Sequence, residues 1–332
     1  MSHGLHDSHG YDALLVVSFG GPEGMDDVIP FLENVLRGRN VPRERMLSVA
    51  RHYELFDGVS PINQQNRNLI AALEKGLETH GPRLRVYWGN RNWHPLLPNT
   101  LRQMATDGIQ NALAFVTSAY SSYSSCRQYL ENIADAQAAV GPGAPRVEKL
   151  RAFHNHPLFI EANVDHIREA LSHFEDPASV HLVFTAHSIP ETMAANCDYA
   201  SQLTQTGKSI AQKLGVDNWQ LVYQSRSGPP SQPWLGPDVC DHLKTLRAAG
   251  VVNVVVAPIG FVSDHMEVVY DLDVEARRVC EEIGLKMVRA RTVGTHRAFV
   301  KMIRELMLER IENRVPANIC APDCCLKSDR IT

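Results

Sequence analysis

The hydrophobic positions of this chain form short apolar runs separated by longer amphipathic stretches. The clearest run, residues 254–258, is β-branched and apolar, which is typical of a buried strand. Comparable runs occur at 13–17, 84–88, 112–116, 180–184 and 220–223. Between the runs, apolar side chains recur at helical spacing, as at Val28, Phe31 and Leu32. This alternation predicts an α/β protein with parallel sheets flanked by helices.

The order of strands and turns repeats along the chain. The stretch 14–22 recurs as 180–190, and 86–95 recurs as 220–230, and 112–120 recurs as 254–262. Two similar α/β halves with polar turns at equivalent strand ends predict an active-site cleft between the halves.

The predicted domain boundaries follow from this repeat and from a turn-rich break at 138–146. The predicted organisation is a flexible N-terminus over 1–10, a first half over 11–150, a second half over 151–315 and a Cys-rich C-terminal tail over 316–332.

Composition and charge narrow the functional classes. The chain has 332 residues and a formal net charge of −4, so it lacks the basic surface that nucleic-acid binding requires. The N-terminus shows no basic region followed by an apolar core, and no apolar run approaches the ~20 residues that cross a bilayer. These features predict a soluble, cytoplasmic protein that is not an integral membrane protein, and a monomer is expected by default.

The glycine-rich turn after the first strand is not a nucleotide-binding motif. Its sequence, GGPEG, lacks the G-x-G-x-x-G spacing, and no G-x-x-x-x-G-K-[ST] loop occurs in the chain. Nucleotide binding therefore has no positive support.

Acidic side chains follow the 254–258 run, where a parallel sheet binds its ligands. Glu267, Asp271 and Glu275 are spaced i, i+4, i+8, so an α-helix would place them in one stripe. Such a stripe could pass protons or a hard divalent cation, and the alternative is a solvated helix face. Glu267 stands between Met266 and Val268, which favours burial of its side chain.

His187 follows another predicted strand of the same half and precedes Ser188. If the two strands are neighbours, their ends bring His187 and Glu267 close together. A histidine beside a carboxylate is a proton-handling pair, and the same nitrogen and oxygen donors suit a transition metal. A structural histidine is the alternative.

Two further stretches are rich in groups that bind polar ligands. Residues 37–45 contain four arginines, whose planar guanidinium groups can bind carboxylates or phosphates. The alternative is that this segment is a solvated basic loop. Residues 117–129 combine many hydroxyls with aromatic rings, which favours a ring-stacking pocket wall over a run of ordinary turns.

The chain has seven cysteines, and a cytoplasmic protein is not expected to use them as a disulfide framework. Cys197, Cys240 and Cys280 are scattered singly, as small packing residues are. Cys320, Cys324 and Cys325 are crowded into a short Pro-containing tail, which requires an explanation other than packing.

Six motifs together carry a resemblance to a known family. They are LLVVSFGGP, GVSPIN, TSAYSSYSSCRQY, FTAHSIP, VYQSRSGPP and PIGFVSDHMEVVYDLD. Through these motifs the chain closely resembles ferrochelatase, the enzyme that inserts iron into a porphyrin in haem synthesis. The resemblance runs from about Tyr11 to the last cysteines. It implies two Rossmann-like halves, the chelatase fold, holding a porphyrin in the cleft.

The resemblance also implies roles for individual residues. His187 and Glu267 would be the catalytic, metal-inserting pair, with Asp271 and Glu275 on the path of the Fe²⁺ substrate. The implied porphyrin-binding residues are Phe19, Arg37, Arg39, Ser60, Tyr123 and Tyr129. Some relatives carry tyrosine at the position of Phe19, and a phenylalanine ring cannot ligate iron.

The cysteines resemble those of the bacterial ferrochelatases that carry a [2Fe–2S] cluster. That resemblance implies Cys126 as the internal ligand, joined by Cys320, Cys324 and Cys325 from the tail. A structural zinc site and a free tail are the alternatives.

The implied substrate is coproporphyrin III, whose four carboxylates suit an arginine-rich rim, with protoporphyrin IX as the second choice. A chelatase for another tetrapyrrole or metal, such as cobalt, is the other enzymatic hypothesis. Outside enzymes, a two-lobed solute-binding module would share the cleft but not use the His/Glu pair. An iron–sulfur electron carrier would explain the cysteines but not the duplicated halves.

Overall fold

A computed structural model describes residues 10–38, 41–228, 231–314 and 324–327 of the chain. The strands in these ranges are β1 (Ala13–Ser18), β2 (Arg85–Asn90), β3 (Asn111–Val116), β4 (Arg146–Lys149), β5 (His181–His187), β6 (Trp219–Gln224), β7 (Asn253–Ala257) and β8 (Lys286–Arg289). The six apolar runs of the sequence correspond to β1, β2, β3, β5, β6 and β7.

Helices connect the strands. They are α1 (Met25–Leu36), α2 (Arg43–Glu54), α3 (Ile62–His80), α4 (Leu97–Thr106), α5 (Gln128–Val140), α6 (Pro157–Leu171), α7 (Glu191–Ala194), α8 (Tyr199–Leu214), α9 (Val239–Ala248), α10 (Met266–Tyr270), α11 (Arg277–Ile283) and α12 (Arg297–Ile311). Single π-helical turns span Tyr123–Arg127 and Asp271–Ala276, and a 3₁₀ turn spans Pro177–Ser179. Over the ranges described, no helix combines the length and apolar character needed to cross a bilayer.

The strands form two four-stranded sheets with the same plan. One has the order β2-β1-β3-β4 and the other β6-β5-β7-β8, and every strand pair in both is parallel. Each strand of the first half therefore has a counterpart with the same neighbours in the second half. The predicted fold class, two similar α/β halves with helix-flanked parallel sheets, is confirmed.

Each sheet packs its apolar strands against amphipathic helices. In the first, Ala13, Leu15 and Val17 of β1 belong to one buried cluster with residues of α4 and α5. In the second, Val254 and Val256 of β7 belong to a cluster with residues of α9 and α11. Burial of both faces explains why the central strands are continuous apolar runs rather than alternating ones.

The described residues divide into two compact units, each built from separate stretches of chain. The first unit includes residues 10–38, 41–117, 128–151 and 300–314, and the second includes 118–127, 152–228, 231–299 and 324–327. The sequence predicts continuous halves, 11–150 and 151–315. In the structure, α12 contributes mainly to the first unit, and the turn at 118–127 belongs to the second.

Ion pairs and hydrogen bonds fasten α12 within the first unit. Arg310 pairs with Glu148 of β4, and Glu309 pairs with Arg151 at 2.7 Å. Arg304 donates to the carbonyl of Gly81, at the end of α3, over 2.6 Å. The first unit thus depends on a helix from the far end of the chain.

The segment after β7 differs from the single α-helix that the i, i+4, i+8 spacing predicts. It begins as α10, widens into the π-helical turn Asp271–Ala276, and continues as α11. Leu272 and Ala276 remain buried in the core of the second unit. Single π-helical turns inside α-helices occur frequently at functional sites.

Candidate active site

The loop after β7 reaches the end of β5 because a glycine allows close approach. Gly260 donates its backbone N–H to the Thr185 carbonyl over 3.0 Å. A Cβ at this position would lie 2.5 Å from the Cβ of Ala186, far inside van der Waals contact. Only glycine permits this close approach of the two backbones. It brings the loop at residues 263–267 to the strand end that carries His187.

Glu267 is held at the start of α10 by two backbone contacts. The Nδ1 atom of His265, the N-cap residue, accepts a hydrogen bond from the Glu267 N–H over 3.2 Å. The Nε2 atom of Gln224, the last residue of β6, donates to the Glu267 carbonyl. Because Gln224 pairs in register with His187, one side chain links the two strands to the helix that carries the acid.

His187 is the last residue of β5, and its backbone is anchored on both sides. Its carbonyl accepts a hydrogen bond from the Tyr199 hydroxyl over 3.0 Å. The next residue, Ser188, donates its N–H to the Gln224 carbonyl over 2.8 Å and its hydroxyl to the Leu235 carbonyl over 2.7 Å. The imidazole therefore projects from a fixed point at the carboxyl end of the sheet.

His187 and Glu267 form the pair that the sequence predicts. The Nε2 atom of His187 lies 3.2 Å from Oε1 of Glu267, and the two side chains are 29% and 46% exposed. On the other side of the ring, Nδ1 of His187 contacts the Ser188 carbonyl. A carbonyl can only accept, so Nδ1 carries a proton and Nε2 is the nitrogen whose protonation can change.

The two groups stabilise each other in their charged forms. Burial would lower the pKa of His187, but the charge and hydrogen bond of Glu267 raise it above its ordinary value. Burial would likewise raise the pKa of Glu267, but His187 holds it below its usual range. At neutral pH the pair is therefore an imidazolium and a carboxylate.

Asp271 is the next acid along the segment, and its environment is different. Burial raises the pKa of Asp271 to about 7, and the charges of Glu267 and Glu275 act in the same direction. The hydroxyl of Ser225 donates to its Oδ2 atom and opposes that shift. Asp271 is thus a carboxyl group that can take or release a proton near neutral pH.

Asp271 and Glu275 line one cavity of about 300 Å³ in the second unit. Its other polar lining residues include Ser225, Asp238 and Cys240. Burial also raises the pKa of Glu275. The predicted acidic stripe therefore has two members on a shared cavity, one turn along the segment from Glu267.

Phe19 and Tyr129, two predicted porphyrin contacts, flank the same arginine in the first unit. The Arg91 guanidinium lies 5.6 Å from the centroid of the Phe19 ring and 4.5 Å from that of Tyr129. Phe19 also meets Phe31 edge to face at 6.2 Å. Arg91 lies in the turn after β2, and sequence reasoning did not single it out.

The other predicted porphyrin contacts are placed as follows. Arg37 is exposed at the end of α1 and donates to Asn34 Oδ1 over 2.5 Å. Ser60 is 3% exposed and packs close to Gly21. Tyr123 begins the π-helical turn of the second unit, with the Lys327 ammonium 5.9 Å from its ring centroid. Arg39 lies outside the described residues.

Three of the four predicted cluster ligands fall within the described ranges, and Cys320 lies outside them. Cys126 and Cys325 are buried, and Cys324 is partly exposed. Burial raises the pKa of Cys325 to about 12, and the neighbouring thiols of Cys324, Cys126 and Cys197 add to the shift. Cys126 and Cys324 thus lie near enough to Cys325 to act on the charge of its thiol. Within the described part of the chain, no group of three or more His, Cys, Asp or Glu side chains is arranged to hold a metal ion.

Sequence reasoning missed Gln224 and Ser225 as members of the site, although both lie in the motif VYQSRSGPP. Their strand end is the equivalent of the one that carries Arg91 in the first half. The available signal was the occurrence of polar residues at equivalent strand ends. The sequence analysis applied it to His187 and Glu267 but not to Gln224 and Ser225.

The comparisons with known proteins agree over most of the chain. The Ferrochelatase family model matches residues 11–311. A protein named Ferrochelatase from Rhodopirellula baltica is 55% identical over 332 residues, covering 96% of this chain and 95% of that protein. One named Coproporphyrin III ferrochelatase from Streptomyces coelicolor is 50% identical over 355 residues, covering 96% and 94%.

Solved structures show the same fold at low sequence identity. SirB from Bacillus subtilis with Fe³⁺ has a TM-score of 0.57 at 12% identity, covering 93% of this chain and 100% of that one. The sirohydrochlorin chelatase SirB from Bacillus subtilis subspecies spizizenii, in complex with cobalt, has a TM-score of 0.54 at 12% identity, covering 91% and 96%. These two structures bear on the fold alone. The family match and the high identity to its members show that this chain belongs to the ferrochelatase family, and that it is an enzyme inserting iron into a porphyrin.

Proposed function

We propose that the protein inserts Fe²⁺ into coproporphyrin III during haem biosynthesis, with His187 and Glu267 as the metal-inserting pair. The observation that carries the proposed mechanism is the 3.2 Å contact between Nε2 of His187 and Oε1 of Glu267 at the carboxyl end of a parallel sheet. The choice of porphyrin is supported by relatives near 50% identity that bear the name coproporphyrin III ferrochelatase.

The reaction requires two protons to leave the porphyrin nitrogens as Fe²⁺ enters. His187 is the proposed acceptor at Nε2, because its Nδ1 proton is committed to the Ser188 carbonyl. In the resting pair Nε2 is already protonated, so it must first release that proton, by way of Asp271, to solvent. Nε2 then takes one porphyrin proton and passes it along the same path, and the second porphyrin proton follows in the same way. Glu267 then stabilises the imidazolium that forms when Nε2 takes a porphyrin proton.

Asp271 and Glu275 are the proposed path that connects the pair with solvent. The raised pKa of Asp271, about 7, lets this carboxyl group accept a proton in exchange for iron. Its carboxylate form is a hard oxygen donor suited to Fe²⁺. The cavity that both side chains line provides room for a hydrated cation to approach.

The proposed porphyrin contacts supply charge and aromatic surface. Arg37 is exposed, so its guanidinium can bind a substrate carboxylate bidentately. Phe19 and Tyr129 enclose the Arg91 guanidinium, which keeps a positive charge beside aromatic rings. Phe19 has no phenol oxygen, so this mechanism assigns no iron contact to that position.

The [2Fe–2S] cluster is proposed on the chemistry of the donor set. Burial and the neighbouring thiols raise the pKa of the Cys325 thiol, and iron bound by these cysteines as thiolates would offset the repulsion between them. Cys126, Cys324 and Cys325 would hold the cluster together with Cys320. When bound, the cluster would cross-link the tail to the turn at 118–127. The cytoplasmic location and monomeric state expected from the sequence stay predictions.

An anaerobic competition assay tests the substrate. With Fe²⁺ and equal concentrations of coproporphyrin III and protoporphyrin IX, we expect iron coproporphyrin to accumulate first, because four carboxylates offer more ionic contacts than two. The ratio of the two products, measured by chromatography, gives the ratio of the kcat/KM values. Preferential metallation of protoporphyrin IX would refute the choice of coproporphyrin III.

Replacing Cys320 or Cys126 with serine tests the cluster. Each change should bleach the visible absorption of the purified protein and lower its iron and acid-labile sulfide content, because a cluster iron would lose a thiolate. Cys240→Ser is the matched control, since its thiol lies in the cavity beside Asp271 rather than among the tail cysteines. Unchanged iron and sulfide in both ligand variants would contradict the assignment.

A further inference from the structure

A part-buried arginine of the second unit contacts two carboxylates on either side of Glu267. Arg289 ends β8, and its side chain is 13% exposed. Its Nε and Nη2 atoms donate to Asp273 over 2.7 and 2.9 Å, which is a bidentate pair. Its Nη1 and Nη2 atoms also donate to the two oxygens of Asp264, over 3.2 and 3.3 Å.

The two carboxylates stand at the ends of the segment that carries the proposed chemistry. Asp264 precedes His265 and Glu267 in the loop, and Asp273 follows Asp271 inside the π-helical turn. The loop and the turn are therefore fastened to one guanidinium on β8, a strand hydrogen-bonded to β7.

We propose that Arg289 is a positioning residue for iron insertion, which fixes the 264–273 segment so that Glu267 stays in contact with His187. The inference rests on the proposed function, because it presupposes that this pair inserts the metal. In this role the guanidinium sets the separation of His187 and Glu267 without touching substrate.

The geometry requires arginine rather than any cation. A guanidinium offers five N–H donors in a rigid plane, and here four donor contacts serve two carboxylates at once. A lysine ammonium is a point charge that cannot hold both acids in one fixed plane. Without Arg289 the two acids would repel each other across a part-buried site, and the segment would open.

The other groups around these acids cannot replace Arg289. Thr292 donates to Asp264 Oδ1 over 3.0 Å, but a hydroxyl carries no charge. Arg277 lies 3.7 Å from Asp273, yet its side chain is 46% exposed and it contacts only that acid. Arg289 is thus the residue that joins the loop to the π-helical turn.

The test compares Arg289→Lys and Arg289→Met with Arg291→Met. Arg291 lies on the same stretch, but its side chain is 67% exposed and pairs with Glu169 at 2.5 Å, so it is a matched control. We expect both Arg289 variants to lose about 10- to 100-fold in kcat, with the porphyrin KM changed less than about twofold. The Arg291 variant should match the parent protein.

A second readout separates positioning from a general loss of stability. A longer His187–Glu267 distance weakens the charge that favours the imidazolium, so the acidic limb of the pH–rate profile should move to lower pH in both Arg289 variants. Thermal melting identifies a variant that fails to fold. If Arg289→Met fails to fold, the kinetics of Arg289→Lys decide whether Arg289 is a positioning residue. Parent-like kcat, or a loss of kcat without the pH shift, would overturn the proposal.

His187→Ala, assayed in parallel, distinguishes the two levels of inference. If that variant is inactive while Arg289→Lys has the parent kcat, the positioning role alone is wrong. If His187→Ala keeps its turnover, the proposed metal-inserting pair is wrong, and the role of Arg289 falls with it.

Discussion

His187→Ala should abolish iron insertion while porphyrin binding persists. The change removes the Nε2 atom that faces Glu267 at 3.2 Å and leaves the acid without its proton partner. Loss of a positioned acid–base group costs about 10²- to 10⁴-fold in rate. Single-turnover metallation of bound porphyrin, followed by absorbance, measures the chemical step directly. Porphyrin affinity, measured by fluorescence quenching, should be nearly unchanged, because the proposed porphyrin contacts are made by other side chains.

His242→Ala is a suitable control for that experiment. His242 is a part-buried histidine of α9 whose ring lies tilted by 56° to that of His181, with 6.2 Å between the ring centroids, and it takes no part in the proposed pair. It should lose little activity. Retained turnover in the His187 variant, or an equal loss in the control, would remove the proton-acceptor assignment.

Glu267→Gln should slow iron insertion about 10²-fold or more and also move its pH dependence. Glutamine keeps the shape of the side chain but deletes the charge that raises the pKa of His187. The effect of burial is then opposed less strongly, so the pKa of His187 falls. Because the reaction needs His187 with Nε2 unprotonated, activity rises with pH through that pKa, and the rise should occur at lower pH in the variant.

The measurement is the logarithm of kcat/KM for the metal against pH, for the parent and the variant. Asp271→Asn is the matched control, because it also replaces an acid of the segment with its amide. It should move the limb less, since Glu267 contributes more than Asp271 to the pKa of His187. If the rising part of the pH profile lies at the same pH in Glu267→Gln as in the parent, His187 and Glu267 do not titrate as a pair.

The strands of both sheets could be predicted from the sequence, because the apolar runs that indicate them are local features. An apolar run such as 254–258 cannot remain exposed, and parallel strands buried on both faces favour β-branched residues. The correspondence between β1 and β5 could be recognised for the same reason, since each run is followed by a polar turn. The proximity of His187 and Glu267 followed from one further step, that the carboxyl ends of neighbouring parallel strands lie together.

The remaining features of the site depend on contacts between distant parts of the chain. The need for Gly260 arises from the Cβ of Ala186 on another strand. The π-helical turn at Asp271–Ala276 replaced the predicted α-helix, although the spacing of its acids is compatible with either helix type. The network around Arg289 joins residues from three elements, and no spacing rule relates them.

The place of α12 in the first unit has a consequence for biosynthesis. A ribosome releases residues 300–314 only after residues 152–299 of the second unit have emerged, yet these residues complete the unit that was begun first. Until then Glu148 and Arg151 lack their partners from Arg310 and Glu309. The nascent first unit must therefore wait for α12 to reach its final stability, and a chain terminated before α12 would leave that unit incomplete.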